Sequence, residues 1–93
     1  MSIRVEVFSK MGEGASSAVM NQIRAVINEQ KVDATVQLVT EPSLLQMNGI
    51  EETPAVFIDG LMISNGWAPS RMEIVRALQQ RVAALNPVKP DWE

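Results

Sequence analysis

The stretch Glu51-Glu52-Thr53-Pro54-Ala55-Val56-Phe57-Ile58-Asp59-Gly60 decides the fold of this 93-residue chain. Residues 56–58 are apolar on both faces of an extended segment, which predicts a short central strand. Asp59-Gly60 predicts a tight hairpin, because a type I′ turn needs positive φ at both central positions. Residues 61–64 then supply the return strand. Pro54 cannot donate a ladder hydrogen bond, so it marks the start of the first strand.

Apolar residues recur along the rest of the chain at spacings typical of strands or of helices. The other predicted elements are a strand over 3–8, a helix from 15–17 to 29, a strand over 34–38, a short helix over 42–47 and a last helix that ends at Asn86-Pro87. The last helix begins at a capping box, in which Ser70 caps the Glu73 amide and Glu73 reaches back. The first strand, helix and second strand form a βαβ unit, so these two strands should be parallel.

The composition excludes several classes of function. The chain has no cysteine and no histidine, which excludes cysteine nucleophiles, disulfides and thiolate or imidazole metal ligands. Its 8 basic and 11 acidic residues give a net charge of −3, which argues against nucleic-acid binding, because that binding needs a clustered basic face. No apolar run approaches the ~20 residues of a membrane span, and residues 1–8 do not resemble a signal peptide. We therefore expect a cytoplasmic protein without a metal or cofactor.

Four parts of the chain carry a resemblance to a known family: residues 5–8, residues 39–41, residues 53–60, and Gly66 together with residues 69–74. Their order and spacing resemble the small thioredoxin-like family of redox-active disulfide proteins, which is close to glutaredoxin. The resemblance implies a thioredoxin-like α/β fold, β-α-β-α-β-β-α, with a four-stranded mixed sheet in the order 2-1-3-4. Helices 1 and 3 should cover one face and helix 2 the other. It also implies a cis bond between Thr53 and Pro54.

We assign residues 1–86 to this single domain and expect residues 87–93 to form a mobile tail, because the segment is short, charged and contains two prolines. The alternative for Trp92 in this tail is an interaction hook. The adjacent Glu51 and Glu52 are expected to lie in a solvated loop rather than to share acid–base chemistry.

The family carries Cys-x-x-Cys in the loop that opens helix 1, where free amides and the helix dipole stabilise a thiolate. This chain reads Lys10-Met11-Gly12-Glu13-Gly14-Ala15-Ser16-Ser17 over the same loop and has no thiol. Thiol–disulfide exchange needs an attacking thiolate, so we expect no oxidoreductase activity of this kind.

Two interpretations of this loop remain open. In the first, Ser16 or Ser17 caps helix 1, and Gly12 and Gly14 make the turn before it. In the second, the exposed amides bind an anion together with Lys10 and the two serines. The second interpretation corresponds to a small anionic-ligand binder or a transferase-like enzyme, as the glutathione-binding relatives of the fold imply.

The resemblance also implies a partner-binding groove, formed by Met11, Thr53, Pro54, Gly66 and Trp67. Aromatic and methionine side chains around a groove suit contact with a protein or peptide. The leading interpretation is therefore a redox-inactive module that binds a partner beside Pro54. The alternative role for Trp67 is packing over the end of the sheet. A third functional interpretation is a structural subunit that acts as a homodimer.

Overall fold

The computed structural model of the protein describes residues 2–10 and 14–85. The elements in chain order are β1 (Ile3–Phe8), α1 (Ala15–Gln30), β2 (Ala34–Val39), α2 (Pro42–Met47), β3 (Ala55–Ile58), β4 (Leu61–Asn65) and α3 (Arg71–Leu85). The strands form one sheet in the order β2-β1-β3-β4. β1 pairs parallel with β2, while the β1–β3 and β3–β4 pairs are antiparallel. The predicted element order and sheet order are both confirmed, whereas the proposed tail over 87–93 lies outside the described residues.

The β3–β4 hairpin turns at the dipeptide that predicts it. Asp59 has φ 47° and Gly60 has φ 83°, so both central positions are in the left-handed region that a type I′ turn requires. The register shifts one step further along, where Val56 lies opposite Ser64 and Phe57 lies opposite Met62. The hairpin therefore contains a bulge, a feature that bends an edge strand and increases its twist.

The sheet separates two apolar cores of unequal size. The larger core lies between the sheet and the two long helices, and its sheet side consists of Ile3, Val5, Val7, Val56 and Ile58. The smaller core lies under α2 and consists of Phe8, Val39, Leu45, Ile50, Ala55 and Phe57. The Phe8 and Phe57 rings meet edge to face at 5.1 Å in that smaller core. Helices α1 and α3 therefore cover one face and α2 the other, as expected.

The hairpin turn is also tied to β1 and to α3 through one carboxylate. The Arg4 backbone N–H donates to Asp59 Oδ1 at 2.8 Å, and Arg81 Nε donates to Asp59 Oδ2 at 2.6 Å. The Asp59 backbone N–H in turn donates to the Arg4 carbonyl at 2.8 Å. These bonds hold the turn end of the hairpin. The candidate site lies at the opposite end of the hairpin.

Of two serines in the second half of the chain, one has a hydrogen-bonded hydroxyl and the other has a buried hydroxyl without a partner among the described residues. Ser70 Oγ accepts from the Glu73 backbone N–H at 3.2 Å, and Glu73 Oε1 accepts from the Ser70 N–H at 3.4 Å, which confirms the predicted capping box. Ser64 Oγ is buried and has no hydrogen-bond partner among the described residues. A buried hydroxyl without a partner destabilises the folded state, since water satisfies it in the unfolded chain.

We expect the same substitution to change stability in opposite directions at these two serines. Ser64→Ala should raise the free energy of unfolding by about 1 kcal/mol, because it removes an unsatisfied buried hydroxyl. Ser70→Ala should lower it by about 1 kcal/mol, because it removes a helix cap. Urea denaturation of both variants and the wild type measures the difference. A loss of stability in Ser64→Ala would show that this hydroxyl is satisfied in solution.

Candidate functional site

The carboxyl end of β1 meets the start of β3 and the end of β4 at one edge of the sheet. Phe8 is paired with Ala55, and Ala55 is paired with Asn65. One residue further along, the Gly66 N–H donates to the Pro54 carbonyl at 2.9 Å, and the Ser9 N–H donates to the Val39 carbonyl at 3.0 Å. The sheet therefore brings the candidate residues of three separate segments to one end of the molecule.

The described candidate residues at this edge are Lys10, Thr53, Pro54, Gly66 and Trp67, and we refer to them as the Pro54 surface. The Thr53–Pro54 peptide bond is cis, the isomer that the family resemblance implies. Thr53 and Pro54 are half-buried, whereas Lys10 is exposed. Met11 and Gly12, which the sequence also placed in the candidate sites, lie outside the described residues.

The start of α1 does not use its serines as expected. The N-cap residue is Gly14, which has no side chain that could cap the helix, and no side-chain capping hydrogen bond forms there within the described part of the chain. Ser16 instead donates to the hydroxyl of Ser9, and both side chains are buried. Ser9 Oγ donates onward to the Lys10 carbonyl at 3.1 Å. Capping by Ser16 or Ser17 was therefore a wrong expectation, because the N-cap lies two or three residues before these serines and Ser16 is turned inward.

The consequence for anion binding differs between the two serines. Ser16 is only 3% exposed, and its hydroxyl is engaged with Ser9. Ser17 is exposed, and its backbone N–H is directed to the Gly14 carbonyl at 3.3 Å. Lys10 and Gly14 are both exposed. Of the four described anion-site candidates, Ser16 is the one that faces the protein interior.

The backbone of Gly66 on the Pro54 surface is in close contact with a side chain from another loop. Its φ of +93° favours glycine, and a Cβ at this position would lie 2.5 Å from Glu52 Oε2 and 2.9 Å from Glu52 Cβ. The Glu52 side chain therefore lies across the Gly66 backbone. Sequence reasoning missed this contact, since Glu52 reads as an ordinary solvated loop residue and nothing in its neighbours indicates that it packs against a segment fourteen positions away.

Trp67 presents a large apolar side chain at this edge. It is 51% exposed, whereas Pro69 two positions later is fully buried. The hydrogen bond from Gly66 to Pro54 holds the backbone immediately before Trp67, and the buried Pro69 holds the chain after it. The indole is therefore carried by a short loop that is anchored on both sides. This arrangement differs from packing of the whole ring over the sheet end.

A pocket of about 390 Å³ opens beside Lys10 on the face that carries α2. Its apolar lining includes Leu45 and Ile50, and its polar side chains are those of Lys10, Thr40, Gln46 and Glu51. Its walls come from the ends of two strands, the short helix and the loop before β3. The sequence did not indicate this pocket, because its lining residues are spread over some forty positions and follow no single period.

Two kinds of site are not formed by residues 2–10 and 14–85. Within these ranges, no three acidic side chains are grouped so that they would hold a metal ion. None of the helices in the same ranges is long and apolar enough to cross a membrane. The chain also supplies no thiol. The groups that the Pro54 surface itself presents are the Trp67 indole, the Lys10 amine, the Thr53 hydroxyl and backbone groups.

The fold and the Pro54 surface define a thioredoxin-fold domain that contains no cysteine. The family model described as a thioredoxin domain matches residues 2–79, and the chain belongs to this family.

Among solved structures, the chain is similar to a malarial protein at 13% identity and a TM-score of 0.64, over 87% of this chain and 97% of that one. It is also similar to thioredoxin 1 from the thermophilic eubacterium Thermosipho africanus, at 18% identity and a TM-score of 0.63, over 89% of this chain and 98% of that one. No curated protein matches the sequence. At these identities the two structures support the fold alone.

Proposed function

We propose that this protein is a redox-inactive thioredoxin-like module that binds a protein or peptide partner through the Pro54 surface. The absence of every cysteine removes the thiolate that thiol–disulfide exchange needs. A family fold without its redox chemistry still presents the edge of the sheet where Pro54 and Gly66 meet. Binding is therefore the function that this edge retains.

The exposed Trp67 is the observation that carries the proposal. Half of its surface is accessible although the loop that holds it is anchored at Gly66 and Pro69. A loop whose backbone is already held loses little conformational entropy when a partner covers it. Tryptophan is also enriched among the residues that dominate binding energy at protein interfaces. These properties favour Trp67 as the main anchor of the partner.

We expect Trp67→Ala to weaken partner binding by at least about tenfold, because truncation of a tryptophan anchor typically removes 2 kcal/mol or more. Partners that co-purify with the tagged wild-type protein are identified first, and the affinity of each is then measured by calorimetry. The matched control is Leu61→Ala, which truncates another exposed apolar side chain (70% exposed) at the opposite end of β4.

Equal urea midpoints for the two variants and the wild type would show that the fold is intact. Loss of affinity in Trp67→Ala with retention in Leu61→Ala is the result that the proposal requires. Equal affinity in Trp67→Ala and the wild type would overturn it, since no other described residue of the Pro54 surface has a comparable exposed apolar area.

The two other interpretations have less support. Anion binding at the start of α1 loses one of its donors, because the Ser16 hydroxyl is buried against Ser9.

A homodimer is favoured by one observation, namely that β4 is an edge strand in which Leu61 is 70% exposed and Met62 is 39% exposed. A solution mass that rises with protein concentration and falls to the monomer value in Leu61→Asp would favour the homodimer.

A further inference from the structure

The carboxylate of Glu52 has a defined place on the Pro54 surface. The side chain crosses the Gly66 backbone so closely that a Cβ there would meet its Oε2 at 2.5 Å. Gly66 is bonded to Pro54 through its backbone N–H and directly precedes Trp67. The carboxylate and the indole therefore belong to one small surface, although Glu52 and Trp67 are fifteen positions apart in the chain.

The charge of Glu52 is not neutralised by the described part of the chain. The ion pairs between described residues join Arg4 to Glu6, Arg71 to Glu29, and Arg81 to Asp59. Glu52 takes part in none of them, and its side chain is exposed. A cation that approaches this carboxylate from a partner would thus meet an acceptor with no competing ion pair among residues 2–10 and 14–85.

We propose that Glu52 determines the specificity of the Pro54 surface, by selecting partner segments that carry a lysine or arginine next to the apolar group covering Trp67. This inference rests on the proposed function. Charge complementarity at the rim of an interface contributes more to selection and association rate than to total affinity. A partner that places a carboxylate or phosphate at the same point is disfavoured by like-charge repulsion.

The expected effect of Glu52 on binding affinity follows from the solvent exposure of the ion pair that it would form with a basic residue of the partner. Exposed ion pairs contribute about 0.2–1 kcal/mol, which corresponds to a change in affinity of up to about fivefold. Added salt screens such a pair, because the Debye length falls from about 10 Å at 0.1 M to about 3 Å at 1 M. The contribution of the indole is apolar and does not share this sensitivity.

The test uses random peptides displayed on phage as the probe. Peptides are selected on the wild-type protein, and those that lose binding to Trp67→Ala are kept. Synthetic copies of the kept peptides are then titrated against the wild type, Glu52→Gln and Glu51→Gln. The glutamine at 52 keeps the length of the side chain across Gly66 and removes only its charge. Glu51→Gln makes the same change at a residue that lines the pocket beside Lys10 instead.

We expect the kept peptides to be enriched in lysine or arginine. Glu52→Gln should weaken them about three- to fivefold at low salt, Glu51→Gln should leave them unchanged, and the difference should disappear near 1 M salt. Kept peptides without basic enrichment, or with equal affinity for Glu52→Gln and the wild type, would overturn the role of Glu52 and leave the proposed function standing. A selection in which no peptide depends on Trp67 would overturn both.

Discussion

Gly66→Ala is expected to lower the free energy of unfolding by about 3 kcal/mol, from about 1–2 kcal/mol of backbone strain and a similar steric term. The strain arises because φ at this position is +93°, where an L side chain is rarely found. The steric term arises because the new Cβ would lie 2.9 Å from Glu52 Cβ, which cannot move without moving the loop that carries Pro54. Thermal or urea unfolding measures the loss.

The matched control for this prediction is Gly60→Ala in the hairpin turn. Gly60 has a similar φ of +83°, but a Cβ there would have no neighbour within 4 Å. It should therefore show the strain alone, about 1–2 kcal/mol. The double variant Gly66→Ala, Glu52→Ala should recover part of the steric loss, since it removes Oε2 and leaves Cβ. If Gly66→Ala is no more destabilising than Gly60→Ala, the contact between Gly66 and Glu52 is not a constraint in solution.

Asp59→Asn is expected to destabilise the protein by about 1–2 kcal/mol at neutral pH, since hydrogen bonds to charged groups are the stronger class and Arg81 is partly solvated. Asparagine tolerates the positive φ at this position and keeps an oxygen for the Arg4 N–H. The amide introduced at this position would also place its N–H group opposite Arg81 Nε, which is itself a donor. In the wild type, Arg81 Nε donates to Asp59 Oδ2 at 2.6 Å, and this hydrogen bond would be lost. The variant therefore isolates the charge of Asp59 from the shape of the turn.

The pH dependence of this effect has a definite sign. The Arg4 backbone N–H and then the Arg81 side chain stabilise the carboxylate and hold the pKa of Asp59 below its ordinary value. A lowered pKa in the folded state means that the stabilisation is complete above the unfolded pKa and is lost as the pH falls through the folded one. The difference between the wild type and Asp59→Asn should thus be constant near neutral pH and shrink below about pH 4.

The control is Glu29→Gln, which removes the same charge from an arginine pair on the surface. Glu29 and Arg71 are both 53% exposed, so this variant should cost less than about 1 kcal/mol and lose its effect in salt. Urea denaturation between pH 7 and pH 3 compares the two. Equal effects of Asp59→Asn and Glu29→Gln, or a difference that grows toward acid pH, would contradict the assigned role of Asp59.

The outline of the fold was predictable because it depends on local patterns. The hairpin needs only Asp59 and Gly60, two adjacent residues that accept positive φ. The start of α3 needs only Ser70 and Glu73, whose reciprocal bonds close within four positions. The two faces of the sheet follow from alternation along β1. In the turn and the helix cap, the interacting groups are neighbours in the chain. The alternation along β1 is likewise a pattern within one short segment, so all three features are visible in the sequence.

The site was predictable in part. The sequence and the family resemblance named Thr53, Pro54, Gly66 and Trp67, and the sheet register brings the Pro54 and Gly66 segments to one edge. They did not indicate Glu52, which packs on Gly66, and they offered Ser16 or Ser17 as a helix cap although Ser16 points inward to Ser9. Both misses concern side chains whose partners come from another segment.

The sequence by itself determined the order of the elements, the turn and helix-cap residues and the absence of thiol chemistry. These depend on composition and on contacts within a few positions. Only the tertiary structure decided that Ser16 is buried, that Trp67 remains half exposed and that the Glu52 carboxylate lies across Gly66. The physical reason is that burial and long-range contact arise when distant segments meet. The hydrophobic period of a segment shows which face is covered, but not which residue of another segment covers it.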